Sequence, residues 1–371
     1  MKNQIKFADP AGDYLELKDE IDAEMQEGLE AGDYIRGKPV ENFESAFASY
    51  LGARHVVGVA SGTDALVLAL RALGIGPGHE VITTPNTFIA TAFAIALAGA
   101  KPVFVDAHAD TLNMDAGLLE PALSKKTRAI IPVHLFGQPA DMDKIMKFAN
   151  KNKLDVIEDA CQSHGAFFKD KKTGTFGDLS AFSFYPTKNL SAAGDAGAVV
   201  TNSAELAEKV RALGGYGSLK KNIHTALGTN SRLDTLQARI LAIKLKRLDA
   251  WNQKRQKLAG IYNQILSGRK QIRLTKIAPG RDSVYHLYVI RVKDRDRVMK
   301  LLEKSGIPSL VHYPTPIHLQ PAFKYLGYGP GDFPVSEEAA QTMISLPMHP
   351  HLETAQAEFI ARKVLMAVGE K

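Results

Sequence analysis

The chain has 371 residues, 45% of them hydrophobic and 23% charged, the balance of an ordinary globular protein with room for one large domain and a smaller one. No run of about 18 apolar residues predicts a membrane span, the opening MKNQIKFADPAGDY lacks the apolar core of a signal peptide, and a single cysteine, Cys161, excludes an intrachain disulfide and a multi-thiolate metal site. The net charge of +6 comes without a basic arm or an aromatic nucleic-acid motif, which disfavours DNA or RNA and leaves either a solvated lysine-rich surface or attraction of an anionic substrate.

From about residue 40 to 245, short apolar runs alternate with helical patterns. Strands are predicted at residues 55–60, 80–84, 102–105, 128–133, 154–158, 179–184 and 196–201, several bounded by Gly, Pro or Asp. Helices are predicted at residues 64–73, 87–98, 142–152 and 204–213. The alternation implies an α/β fold with a mainly parallel seven-stranded sheet covered on both faces. Functional groups in such sheets gather beyond the carboxyl ends of the strands. One long helix is predicted over 234–267. Within it the basic run 244–257 (KLKRLDAWNQKRQK) is broken by Leu245, Leu248 and Trp251, a spacing that turns one apolar stripe inward and leaves the lysines in water. A smaller α+β unit follows, with a strand at 284–292 and helices at 295–304 and 355–368. The segment HYPTPIHLQP (312–321) reads as an ordered loop. The expected division is 1–250 for the large domain, with its N-terminal segment, and 251–371 for the small one. These features fit a cytoplasmic protein.

Three segments carry candidate chemistry. In VASGTDALVLALRALG (59–74) a strand runs into Ser61-Gly62-Thr63 and a helix follows. Glycine lets backbone approach a ligand, the hydroxyls can cap the helix, and the free amides suit a phosphate. A plain helix cap accounts for the same letters. In LDVIEDACQSHGA (154–166) a strand of buried type ends in Glu158-Asp159. A carboxylate at such a place needs a partner, and a protonated pyridine nitrogen would be one. A solvated turn aspartate is the alternative. In FSFYPTKNLSAAGDAGAVVT (182–201), Ser183 ends a strand and Lys188 follows among small residues. A lysine held on such a turn loses its proton readily through desolvation and becomes a nucleophile. The phosphate turn, Asp159 and Lys188 would share one end of the sheet.

With SGTDAL, EDACQSHGA, FSFYPTKNL and GTNSRLDTLQA in that order, between GDYIRGKPVENFE (32–44) and the HYPTPIH loop, the chain resembles the DegT/DnrJ/EryC1/StrS sugar aminotransferases, which are fold-type I enzymes dependent on pyridoxal 5′-phosphate (PLP). The resemblance implies that Lys188 anchors PLP covalently and shuttles the proton. It implies that Asp159 pairs with the pyridine nitrogen, Gln162 contacts the ring hydroxyl and Phe88 stacks on the ring. Gly62, Thr63 and Ser183 would hold the phosphate, and Asn230 would reach it from the other subunit of a homodimer. Tyr185, Lys221, His312 and Tyr313 would contact the sugar or diphosphate, although each also reads as an ordinary surface or loop residue. Gln162 and the segment 230–234 (NSRLD) are similar to members acting at C3. The implied reaction passes an amino group from L-glutamate to a nucleotide-linked keto-sugar, dTDP-3-keto-6-deoxyhexose being the first expectation. A UDP-linked 3-keto or 4-keto sugar, or a regulatory relative without catalysis, is the alternative. Lys188 argues against the sugar dehydratase branch of the family, in which histidine replaces the lysine.

Overall fold

Helices α1 (Pro10–Glu16), α2 (Lys18–Ala31) and α3 (Lys38–Leu51) precede the first strand in the computed structural model, which describes residues 4–220 and 222–370. In α3 the apolar residues Val40, Phe43, Phe47 and Leu51 recur at three- and four-residue spacing and are all buried, the stripe that docks a helix on a sheet. Strand and helix then alternate: β1 (His55–Val59), α4 (Gly62–Ala72), β2 (Glu80–Thr83), α5 (Ala90–Leu97), β3 (Lys101–Phe104), the short α6 (Leu119–Ala122), β4 (Thr127–Ile130), α7 (Met142–Asn152) and β5 (Asp155–Asp159). A small hairpin, β6 (Phe167–Phe168) and β7 (Lys171–Lys172), leads to β8 (Leu179–Ser183), β9 (Gly197–Thr201) and α8 (Ala204–Gly214).

The seven long strands form one sheet in the order β1-β9-β8-β5-β4-β2-β3. Only β9 runs against its neighbours β1 and β8; the other pairings are parallel. Alternate residues of each strand enter opposite layers. Val57, Val59, Ile157, Leu179 and Ala181 pack under α4, α5 and α8, while Val56, Phe182 and Val200 pack under α3. The carboxyl ends of β1, β5 and β8 therefore lie along one edge, and that edge gathers the three candidate segments.

The predicted helix over 234–267 is two helices, α9 (Thr235–Leu245) and α10 (Leu248–Leu266). At the break the amides of Lys246 and Arg247 bond three residues back, to Ile243 and Lys244. The tight turn lets α9 keep Ala238 and Leu241 on the large sheet while α10 carries Leu258, Tyr262 and Leu266 into the core of the small unit. The basic run also differs from expectation. Lys244 is buried with its ammonium on Ser191 Oγ at 3.1 Å, and Arg255 is buried with Nη1 on the carbonyl of Met348 at 3.0 Å.

The small unit has the antiparallel sheet β10 (Arg273–Leu274), β11 (Tyr288–Arg291) and β12 (Met343–Leu346), with α11 (Arg295–Lys304), α12 (Pro334–Thr342) and α13 (Thr354–Val368). The strand predicted at 284–292 is confined to β11, because Val284 and Leu287 give their amides to the carbonyls of Gly137 and Phe136 instead of a neighbouring strand. The expected division at residue 250 falls inside α10, whose Leu248 belongs to the core of the large sheet and whose Leu258 belongs to that of the small one. Among the described residues, no helix is long and apolar enough to cross a membrane.

Candidate active site

The turn after β1 is a capped helix start. Ser61 Oγ accepts the Asp64 amide at 3.1 Å and the Ser61 carbonyl accepts that of Ala65 at 3.0 Å. Gly62 and Thr63 open α4, where amides have no carbonyl one turn back and stand ready for an anion. Gly62 has a reason beyond ligand access. A Cβ there would lie 2.6 Å from Ser183 Cβ and 2.9 Å from Cys161 Sγ, so only glycine lets the three strand ends close up. Ser231 Oγ accepts the Ala60 amide at 3.1 Å and donates to Asp64 Oδ2 at 2.8 Å. That anchors the segment of Asn230, itself exposed and bridged to Gly215.

At the end of β5, Asp159 is 6% exposed. Thr91 Oγ1, in the first turn of α5, donates to Asp159 Oδ2 at 2.8 Å, and the Cys161 amide donates to Oδ1 at 3.3 Å. Thr91 gave no sequence signal, since its partner is 68 residues away. One residue back, Glu158 is fully buried and saturated. It accepts the amides of Gly174, Phe176 and Gly177 at 2.8, 2.7 and 2.9 Å, and its Oε2 lies 2.9 Å from His134 Nε2. The Ala140 amide donates to His134 Nδ1 at 3.0 Å, which leaves Nε2 to carry the proton toward Glu158. The backbone amide of His134 bonds the carbonyl of Asp159 at 3.1 Å, so this clasp holds the strand end from beneath. Gln162 is buried. Its Oε1 accepts the Phe136 amide at 2.7 Å and its Nε2 donates to Tyr313 Oη at 3.2 Å.

Beyond β8, Ser183 Oγ accepts the Tyr185 amide at 3.3 Å, keeping its own proton to donate. The Lys188 amide closes a turn on the Tyr185 carbonyl at 2.8 Å. Lys188 as a residue is half-buried, less enclosed than its place among small residues suggested. Its amine is nonetheless desolvated, which lowers it below the ordinary lysine range, while Cys161 and Asp159 beside it act in the opposite sense. Burial, reinforced by the charge of Lys188, pushes the His164 imidazole down to about 3 and that of His312 to about 4. Burial also raises the Cys161 thiol. A desolvated amine of this kind gives up its proton more readily than a lysine in water.

The remaining expected residues arrive from loops. Phe88 is 51% exposed, its ring 5.6 Å from that of Tyr313. His312 stacks on Phe7 at 5.8 Å and its Nδ1 lies 2.8 Å from Ser345 Oγ. Tyr185 is exposed on the lysine turn. Thus Gly62, Ser183, Asp159, Gln162, Phe88, Tyr313 and Lys188 are joined by direct contacts or shared turns, while Asn230 stands outward and Lys221 lies outside the described residues. Helix-start amides for a phosphate, a held carboxylate for a ring nitrogen and a readily deprotonated amine for an aldehyde are the donor set that PLP requires.

The DegT/DnrJ/EryC1/StrS aminotransferase family profile matches residues 15–365. The chain is 47% identical over 356 residues, 95% of this chain and 93% of the relative, to a dTDP-3-amino-3,4,6-trideoxy-alpha-D-glucose transaminase of Streptomyces venezuelae. Among solved structures it is similar to S. venezuelae DesV in complex with a ketimine intermediate, with a TM-score of 0.97, 45% identity and 99% of both chains covered. It is also similar to Bacillus subtilis NtdA with bound cofactor PMP, with a TM-score of 0.88, 33% identity, and 96% of this chain and 82% of that one covered.

Proposed function

The chain belongs to the DegT/DnrJ/EryC1/StrS aminotransferase family, and we propose that it transfers the amino group of L-glutamate to a dTDP-linked 3-keto-6-deoxyhexose. It is a PLP-dependent sugar aminotransferase. The observation that carries the substrate reading is Gln162, buried against Phe136 and Tyr313 in the position that resembles the C3-acting members. The likeness to the S. venezuelae 3-amino sugar transaminase supports it.

Bound PLP supplies an electron sink for the carbon that exchanges its nitrogen. The protein does the rest. In this reading the amides of Gly62 and Thr63 and the hydroxyl of Ser183 hold the phosphate. Asp159, kept in place by Thr91 and the Cys161 amide, keeps the ring nitrogen protonated. Phe88 covers one face of the ring. Lys188, its amine already desolvated, anchors the cofactor, and Nζ takes up and returns the proton. Tyr185, Lys221, His312 and Tyr313 meet the sugar nucleotide. We place the protein in the cytoplasm, with residues 1–250 and 251–371 as its two units. We also propose a homodimer in which Asn230 completes the partner's phosphate site. In mixed dimers carrying Asn230→Ala on one chain and Lys188→Ala on the other, the defect should fall on the site opposite the Asn230 change. Subunits that behave independently would refute the shared site.

The substrate test is 2-oxoglutarate formation from L-glutamate with dTDP- and UDP-linked 3-keto and 4-keto sugars, each product assigned by NMR of the aminated carbon. Amination at C3 of the dTDP sugar is expected to dominate. A faster UDP or 4-keto substrate replaces this reading, and no 2-oxoglutarate with any of them favours the regulatory alternative.

A further inference from the structure

Asn252 lies in the second turn of α10, 5% exposed, on the face that also buries Leu248, Trp251 and Arg255. An amide in such a place destabilises the fold unless its polar atoms are paired. Here they are paired with two segments of the candidate site. Asn252 Nδ2 donates to the carbonyl of His164 at 2.9 Å, and Asn252 Oδ1 accepts from Asn189 Nδ2 at 2.8 Å. Asn189 is the residue after Lys188, also buried, and its Nδ2 donates as well to the carbonyl of Val284 at 2.9 Å. His164 lies in the loop that follows Asp159. The two carbonyls can only accept, so each asparagine must turn its NH2 toward its carbonyl, and the oxygen of Asn252 is left facing Asn189. Backbone conformation agrees with the tight fit. Gly165 has φ +85°, and a Cβ there would lie 3.1 Å from Asn252 Nδ2.

We propose that Asn252 is a positioning residue for the reaction at Lys188, a clamp that sets the lysine turn and the Asp159–His164 loop in one frame from a helix belonging to neither. The proposal rests on the assignment of Lys188 and Asp159 to the cofactor, and it does not depend on which sugar is aminated. In Asn252→Leu the heavy-atom count and branching of the side chain are kept, but the His164 carbonyl and one Asn189 N–H lose their partner. Among the described residues Asn189 Oδ1 already has none, so the Asn189 side chain would keep a single tether, to the Val284 carbonyl.

The test uses apo-protein titrated with PLP by fluorescence, and the pH midpoint of the bound cofactor's visible absorbance. Borohydride reduction and peptide mass spectrometry locate the modified lysine. Asn252→Leu should weaken PLP binding roughly tenfold, the scale of one buried amide left unpaired, and should shift the pH midpoint. Asn252→Asp, which keeps an acceptor for Asn189, should fall between it and wild type. A lower melting temperature with affinity and midpoint unchanged, the label staying on Lys188, overturns the proposal alone and leaves Asn252 as packing. A label on another lysine overturns the site assignment and the proposal with it. If Asn252→Leu does not fold, Asn189→Ala removes the same bond from the other side, with the same two outcomes.

Discussion

Glu158→Ala removes a carboxylate that four donors share: the amides of Gly174, Phe176 and Gly177 and the imidazole of His134, all within 2.9 Å. Each buried donor left unpaired costs about 1–3 kcal/mol, but part of this relaxes because Phe176 and Gly177 are only half-buried. Breaking a buried pair by deleting one partner typically costs about 3–5 kcal/mol, so we take about 4 kcal/mol. At about 2.1 cal/mol/K per residue, 371 residues unfold with about 0.8 kcal/mol/K, and the loss lowers the melting temperature by about 5 °C for a chain that melts as one unit. Scanning calorimetry at saturating PLP measures it. Glu158→Gln, which keeps the volume and one acceptor, should lose less. Activity should fall in both, because the His134 amide that bonds the Asp159 carbonyl moves with the clasp. A Glu158→Ala protein melting within about 1 °C of wild type would refute the reasoning.

Gly62→Ala should weaken both fold and cofactor binding, since the new methyl would meet Ser183 Cβ at 2.6 Å; overpacking of this kind costs about 1–3 kcal/mol. A variant that melts and titrates with PLP like wild type would contradict the crowded turn. Acid should destabilise the protein. Burial holds His164 near 3 and His312 and His349 near 4, whereas the unfolded imidazoles titrate near 6.5. Between those values the unfolded chain binds more protons, so this stability is complete above about pH 6.5 and is lost as pH falls toward 4. Melting temperatures across that range should fall with pH, and His312→Gln should flatten part of the slope. A flat wild-type profile would show that these imidazoles are not held neutral.

The large sheet was legible because its strands are short apolar runs with Gly, Pro or Asp at their ends. Lys188, Asp159 and Ser183 were legible because each follows such a run. What the sequence hid are contacts between distant residues. KLKRLD contains no Gly or Pro to mark the break between α9 and α10; the break follows from two cores pulling on one helical stretch. Lys244 and Arg255 looked solvated because their partners, Ser191 and the Met348 carbonyl, lie 53 and 93 residues away. Gly62 was read for ligand access, while the side chains of Ser183 and Cys161 supply a second reason for it. Glu158 stood beside Asp159 in plain view, yet its role is set by a loop and a histidine that no local pattern connects to it. Thr91 and Asn252 are of the same kind.

The most direct test of the central claim is to reduce the PLP-loaded protein with borohydride, digest it and map the modified peptide by mass spectrometry. A phosphopyridoxyl adduct is expected on Lys188 and is expected to be absent from Lys188→Ala, which should still fold and hold PLP but should not turn over. An adduct on any other lysine, or a Lys188→Ala protein that aminates at the wild-type rate, would contradict it.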